Sequence, residues 1–285
     1  EDHKAAYLNA VMWCLTGNEA HAKKTIEILN VYAGTLREIG PDANDDPLCA
    51  SLQGFLLVNA AELIRYTYEP VSQTDIDAWE KMFRNVFIPV LREFFAKPAY
   101  TNGNWGTAAI KAFMGFGVFL DDESLYNEAV DFFYNGNDNG SLTNYISETG
   151  QCQESGRDQA HAQLGLACLS VTCEIAYKQG TDLYGVLDNR LQKGYEYTAQ
   201  YNAGHDDVPF KTWKDITGKY CSWTKISSDQ RGVFRPVYEM VYNHYVNRKG
   251  GSMKYTKEVI DKIRPEGYYY EHFGFGTFLF NDKAK

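Results

Sequence analysis

The densest group of reactive side chains lies at residues 151–163, QCQESGRDQAHAQ, directly ahead of an apolar stretch, LGLACLSVTCEIAY. Histidine carries a proton near neutral pH, and His161 stands here beside Glu154, Arg157 and Asp158. That combination suits proton transfer where charge develops on a substrate. Arg157 and His161 are four residues apart, so on one helix they share a face. Gln153 and Glu154 lie just upstream, within reach of the same opening. The stretch also reads as a capped helix with an Arg–Glu surface pair. A solvated face, however, has no reason to gather His, Arg, Asp and several Gln at one end.

Two further segments hold candidates. Residues 102–106, NGNWG, form a polar turn opening onto TAAIKAFMGFGVFL. Asn104 fits there as a helix cap, while the indole of Trp105 suits stacking on a sugar ring. Residues 231–245, RGVFRPVYEMVYNHY, place Arg235, Tyr238 and Tyr242 along one face of a helix expected to start at Pro236. A cation beside a tyrosine favours its phenolate, although Tyr238 and Tyr245 fit equally well as packed aromatics.

The elements that position these groups are helical. Residues 20–36 carry Ala22, Ile26, Leu29, Tyr32 and Ala33 on one face. Similar patterns occupy residues 52–66, 76–95, 105–119, 124–133, 159–177, 183–201, 236–246 and 255–263, with turn signals at 16–18, 121–122, 180–182 and 202–204. Strand candidates are few and short, chiefly around residues 268–280, where Gly and aromatics alternate. Two long segments, 134–157 and 202–230, read as loops, and loops of that length in a compact fold are commonly functional. The second crowds Lys211, Lys214, Lys219 and Lys225 together. The expectation is an all-α chain, one domain over residues 1–285, with helical hairpins arranged as an (α/α) toroid or solenoid.

Composition narrows the function. A 285-residue chain with 44% hydrophobic and 23% charged residues can bury a sizeable core, which excludes disorder and coiled coil. A net charge of −9 gives nucleic acid no general basic face. No apolar run approaches the roughly 20 residues of a bilayer span. The six cysteines show no CxxC pair and no histidine at ligand spacing, so they read as thiols, with Cys14, Cys168 and Cys173 in apolar helical surroundings. Phosphate loop, dinucleotide fingerprint, G-x-S-x-G and H-E-x-x-H patterns are missing, and the reading asks for no cofactor or metal. The first residues already read as helix, with no leader pattern ahead of them.

NGNW, QESGRDQAH opening a helix, and the distal RPVYEMVYNHY together resemble the alginate lyase superfamily of (α/α) toroid polysaccharide lyases, over most of the chain to Phe280. The resemblance implies β-elimination at a uronate. Asn104 is then the carboxylate-binding Asn, and Trp105 replaces the histidine that often follows it. His161 supplies the imidazole and Arg157 places substrate carboxylates. The acid/base tyrosine is sought first at Tyr242, then at Tyr238, with Tyr220 a further candidate. Trp105, Gln153, Glu154, Tyr220, Arg231 and Arg235 are expected to bind substrate.

The expected function is therefore a lyase acting on a 1,4-linked polyuronate, alginate or glucuronan, with an acidic polysaccharide as its partner. The resemblance also implies a processed, periplasmic or secreted protein. Alternatives are a glycoside hydrolase on the same scaffold, using Glu154 and Asp158 (or Glu148) as its two carboxylates, and a non-catalytic glycan-binding protein.

Overall fold

The computed structural model describes residues 1–40 and 45–282. The chain divides into two compact units, Glu1–Lys97 with Lys111–Val130, and Pro98–Ile110 with Asp131–Lys285. The first unit holds α1 (Asp2–Thr16), α2 (Glu19–Thr35), α3 (Asp46–Thr67), α4 (Gln73–Met82) and α5 (Ile88–Ala96). Helices α6 (Gly103–Phe119) and α7 (Glu123–Asn135) contribute to both units. In the second unit follow α8 (Leu142–Tyr145), α9 (Gln159–Lys178), α10 (Val186–Ala203), α11 (Glu239–Tyr242), α12 (Lys254–Ile263) and α13 (Gly276–Leu279).

In the first unit α1 packs on α2 and α3, and α2 on α4. The turn at 16–18 behaves as its residues suggest: Gly17 leaves α1 in the left-handed region, and the Asn18 side chain accepts from Ala20 N to start α2. The pattern over 76–95 is not one helix, because a π-helical turn at Phe83–Phe87 separates α4 from α5. That turn brings Phe83 and Phe87 against Phe116, with Phe83 edge-on to Phe119. α3 is 22 residues long and, against the sequence reading, apolar enough by length and composition to cross a bilayer. Its apolar face lies in the core of this unit, where Phe55, Leu57, Ala60, Ala61 and Ile64 are almost fully buried.

α9 is the centre of the second unit and packs against α10 and α11, while α12 packs on α10. Leu164, Leu166, Cys168, Leu169 and Cys173 are enclosed along α9. Several expected boundaries move. Helix α10 begins at Val186 rather than 183, and Leu187, Asp188 and Asn189 stand in the left-handed region. The helix expected from Pro236 begins at Glu239 and continues as a π-helical turn, Asn243–Arg248. Its leading N–H groups, those of Tyr238 and Glu239, are met by Glu266 Oε1 at 2.7 and 3.1 Å, which fixes the start without a local cap. Among the described residues 268–280 hold no strand, and α13 lies there instead. All six cysteines are free. Cys168 and Cys173 are buried as expected, but Cys14 is exposed, its sulfur 3.8 Å from Thr67 Oγ1.

Candidate active site

The site is built in the second unit, where the start of α6 meets the segment leading into α9. Asn104 is not the cap of α6 but the second residue of its first turn. The first N–H groups of a helix lack intrahelical partners, and here two side chains of the 151–159 segment supply them. Gly103 N donates to Gln153 Oε1 and Asn104 N to Glu154 Oε2, each at 2.9 Å. A carboxylate is also favoured at this end by the helix dipole. Gln153 is completed by its own bond to Asn102 Oδ1, 3.1 Å away.

Glu154 is fully buried and accepts from four donors: Asn104 N, Asn104 Nδ2 (2.6 Å), Arg157 Nη1 (2.8 Å) and the Tyr145 hydroxyl (3.2 Å). A buried carboxylate is tolerable only when paired and hydrogen-bonded in this way. Because an ionised carboxylate only accepts, the Asn104 amide must turn its nitrogen toward Glu154. Its Oδ1 is then left buried and without a partner among the described residues. An oriented, unsatisfied acceptor of this kind is what a bound hydroxyl or carboxylic acid can complete.

Tyr145 closes the back of the site. Its hydroxyl also lies 3.2 Å from the His161 carbonyl and 3.3 Å from that of Ala162. Burial, then the neighbouring Glu154 charge, pushes its pKa well above the ordinary value, so it stays protonated. The ring fits because position 165 is glycine; a Cβ there would collide with the Tyr145 ring and hydroxyl.

Arg157 and His161 do not share a helical face, since α9 starts at Gln159. Asp158 joins them instead. It is the N-cap of α9, with Oδ1 accepting from His161 N and Oδ2 2.7 Å from His161 Nδ1. Arg157 Nε lies 3.5 Å from the same Oδ2. Burial alone would raise the Asp158 carboxyl, but the His161 side-chain and backbone hydrogen bonds and the neighbouring charges outweigh it, and its pKa is lowered. An ionised Asp158 on Nδ1 makes that nitrogen the protonated one and leaves Nε2 as the lone-pair nitrogen. The side chains of Arg157 and His161 are 31% and 36% exposed against 0% for Glu154 and 11% for Asp158. The cationic and basic heads thus face outward, held from behind by buried carboxylates.

The other expected residues are placed differently. Tyr238 is 1% exposed, donates to Gln163 Oε1 at 2.8 Å, and is raised by burial and then by Glu266. This reverses the expectation that Arg235 would favour its phenolate. Arg235 is itself neutralised by Glu271 and lies over the Tyr269 ring, 4.4 Å from its centroid. Arg231 locks a turn, donating to the Tyr201 and His205 carbonyls and to Asp206. Tyr242 is partly exposed in α11, and no hydrogen bond or ring contact among the described residues joins it to residues 154–161. Tyr220 and Trp105 lie at the Asn104 side: Tyr220 donates to the Tyr100 carbonyl (3.1 Å), and the Tyr100 and Trp105 rings meet edge-on at 6.5 Å.

Sequence reasoning missed Tyr145, and it gave Asp158 only the role of an alternative carboxylate. The D-x-x-H spacing at a helix start was a readable sign of the Asp158–His161 pair, since an N-cap side chain reaches the third helical residue. Gln163 was also passed over. Its Oε1 accepts from Tyr238 and from Arg235 N, tying the 233–238 segment to α9.

Comparison with known proteins gives a consistent result. An alginate lyase from Bacteroides ovatus shares the fold with a TM-score of 0.65 at 14% identity, over 91% of this chain and 69% of that one. Alginate lyase A1-III from Sphingomonas species A1 gives 0.74 at 13% identity, over 99% and 76%. A variant of A1-III complexed with a tetrasaccharide gives 0.73 at 14% identity, over 99% and 78%. At these identities the likeness shows the fold, the (α/α) toroid of the alginate lyases. No curated protein sequence matches the chain. The family model described as alginate lyase matches residues 1–208, well over half of the sequence, and the chain belongs to the alginate lyase family.

Proposed function

We propose that this family member is a polysaccharide lyase that cleaves a 1,4-linked polyuronate, alginate or glucuronan, by β-elimination. The observation that carries the reading is the continuous set Asn104–Glu154–Arg157–Asp158–His161. Removing the C5 proton of a uronate loads charge onto its carboxylate, and fixed donors lower that cost; in other enzymes one such donor is worth about 10²-fold or more. The outer N–H groups of Arg157, and the Asn104 Nδ2 hydrogen that Glu154 does not hold, serve as those donors. Asn104 Oδ1 accepts from the substrate. His161 Nε2 takes the C5 proton, the released electron pair forms the C4–C5 double bond as the C4–O4 bond breaks, and the imidazolium returns its proton to O4. No water is consumed. Trp105 and Tyr220 offer ring faces to neighbouring sugars. The A1-III variants complexed with tetrasaccharide support a saccharide of several units on this scaffold. We place the enzyme outside the cytoplasm, where such polymers are met.

Hydrolysis, the second reading, needs one protonated carboxylic acid and one carboxylate facing the glycosidic bond. Glu154 gives both oxygens to protein donors and Asp158 gives both to His161, which favours elimination. The test is ultraviolet absorbance over time with polymannuronate, polyguluronate and glucuronan in parallel. A rise on one of them supports the reading and names the sugar; new reducing ends with flat absorbance on all three contradict it.

A further inference from the structure

The stretch from Gly204 to Gln230, after α10, contains no helix or strand, yet it is fastened along its length. Lys211 N donates to Gln151 Oε1 (2.9 Å) and Gln151 Nε2 donates back to the Lys211 carbonyl (2.7 Å). Ser227 N donates to the Ser155 carbonyl and Gln159 N to the Asp229 carbonyl, both at 3.0 Å. On the other side Tyr220 holds the Tyr100 carbonyl, and Asn139 Nδ2 links the Thr101 carbonyl (2.8 Å) to Asp215 Oδ2 (3.0 Å). The stretch is therefore a strap tied both to the segment leading to Asn104 and to the segment carrying Glu154, Arg157 and His161. Gly156 lies under Trp223, where any Cβ would collide with the indole side chain.

The strap differs from the rest of the chain in charge. The whole protein has 37 acidic against 28 basic residues, but residues 211–225 hold four lysines and one acid, Asp215. Asp215 is buried and engaged by Asn139, Thr217 and the Tyr220 backbone. Lys211, Lys214, Lys219 and Lys225 are all exposed, and among the described residues none of them forms an ion pair. Elsewhere exposed lysines do pair, Lys23 with Glu19, Lys249 with Asp182 and Lys257 with Asp261. Aromatic rings alternate with these cations: Trp213, Tyr220 and Trp223, the last two stacked at 6.2 Å and 16°. Unpaired cations concentrated on a fastened strap of an acidic protein create a local field that an external anion can answer. Rings interleaved with them offer faces to sugars.

We infer that residues 211–225 form a distal binding surface for consecutive uronate residues of an acidic polysaccharide, beyond the sugar that reacts. The inference rests on reading the Asn104–His161 site as a uronate lyase, and it makes the working substrate a chain rather than a terminal unit. The test compares wild type with a variant carrying Lys211→Gln, Lys214→Gln, Lys219→Gln and Lys225→Gln, on polymannuronate and on its trisaccharide. The loss in kcat/KM on the polymer should exceed the loss on the trisaccharide by about tenfold, because four exposed charge pairs of modest strength multiply. KM should carry the change more than kcat, and affinity should fall less steeply with added salt. Polymer binding in a His161→Ala background reads the strap without cleavage. Strap-dependent binding by a wild type that cleaves none of polymannuronate, polyguluronate and glucuronan would sink the lyase reading and leave the strap standing. Equal losses on polymer and trisaccharide, or no loss on either, overturn the inference.

Discussion

Asp158→Asn is the sharpest probe of the site. The asparagine keeps an oxygen for the His161 N–H and caps helices as well as aspartate does. Its amide nitrogen then faces His161 Nδ1, where the carboxylate oxygen stands at 2.7 Å. A donor in that place forces the imidazole proton onto Nε2, the nitrogen that must accept from C5. Holding the productive tautomer would forfeit one charge-assisted hydrogen bond, about 1.5–3 kcal/mol, and oppose two donors for roughly 1 kcal/mol more. At 1.4 kcal/mol per factor of ten, kcat should fall by about 10²–10³. Because the cap survives, stability should change by about 1 kcal/mol or less, roughly 2–4 °C in Tm. The assay is the initial rate of ultraviolet absorbance on the preferred polyuronate, with a melting curve on the same sample. A kcat within about threefold of wild type, with the fold intact, would refute the role given to the dyad.

Glu154→Gln replaces an acceptor-only group by one that must turn an NH₂ toward buried donors. It should cost about 1–3 kcal/mol in denaturant unfolding and depress kcat together with it. Tyr238→Phe removes only the buried bond to Gln163, so it should lower stability by about 1 kcal/mol while steady-state activity persists. Burial holds the Glu266 carboxyl up at about 8, so the folded state keeps a proton that the unfolded chain releases. Stability should therefore fall as pH rises from the ordinary carboxylate range through about 8, and urea midpoints of Glu266→Gln should lose that slope.

The helices were legible because their cues are local. Gly17 and Asn18 end one helix and start the next within two residues, and α9 shows its apolar face openly. The polar cluster at Arg157 and His161 was legible because a proton carrier and a fixed donor have few bland reasons to stand so close together, and Glu154 bonds Asn104 and Arg157 alike. What sequence hid depends on distant partners. Glu154 reads as a surface charge until donors from residues 104 and 145 close over it. Arg235 promised a lowered tyrosine pKa, but Glu271 neutralises it and burial drives Tyr238 the other way. The late start of α11 follows from Glu266, a cap supplied from 27 residues beyond Glu239, which no local pattern could announce.

The central claim is that bonds break here by elimination rather than hydrolysis. Digestion of the preferred polyuronate in water enriched in heavy oxygen, followed by mass spectrometry of the fragments, tests it most directly. Elimination breaks C4–O4, so O4 departs on C1 of the neighbouring sugar and no water is consumed; the account therefore predicts unsaturated ends and no solvent oxygen in the products. Saturated fragments carrying one solvent oxygen per cleavage would contradict it.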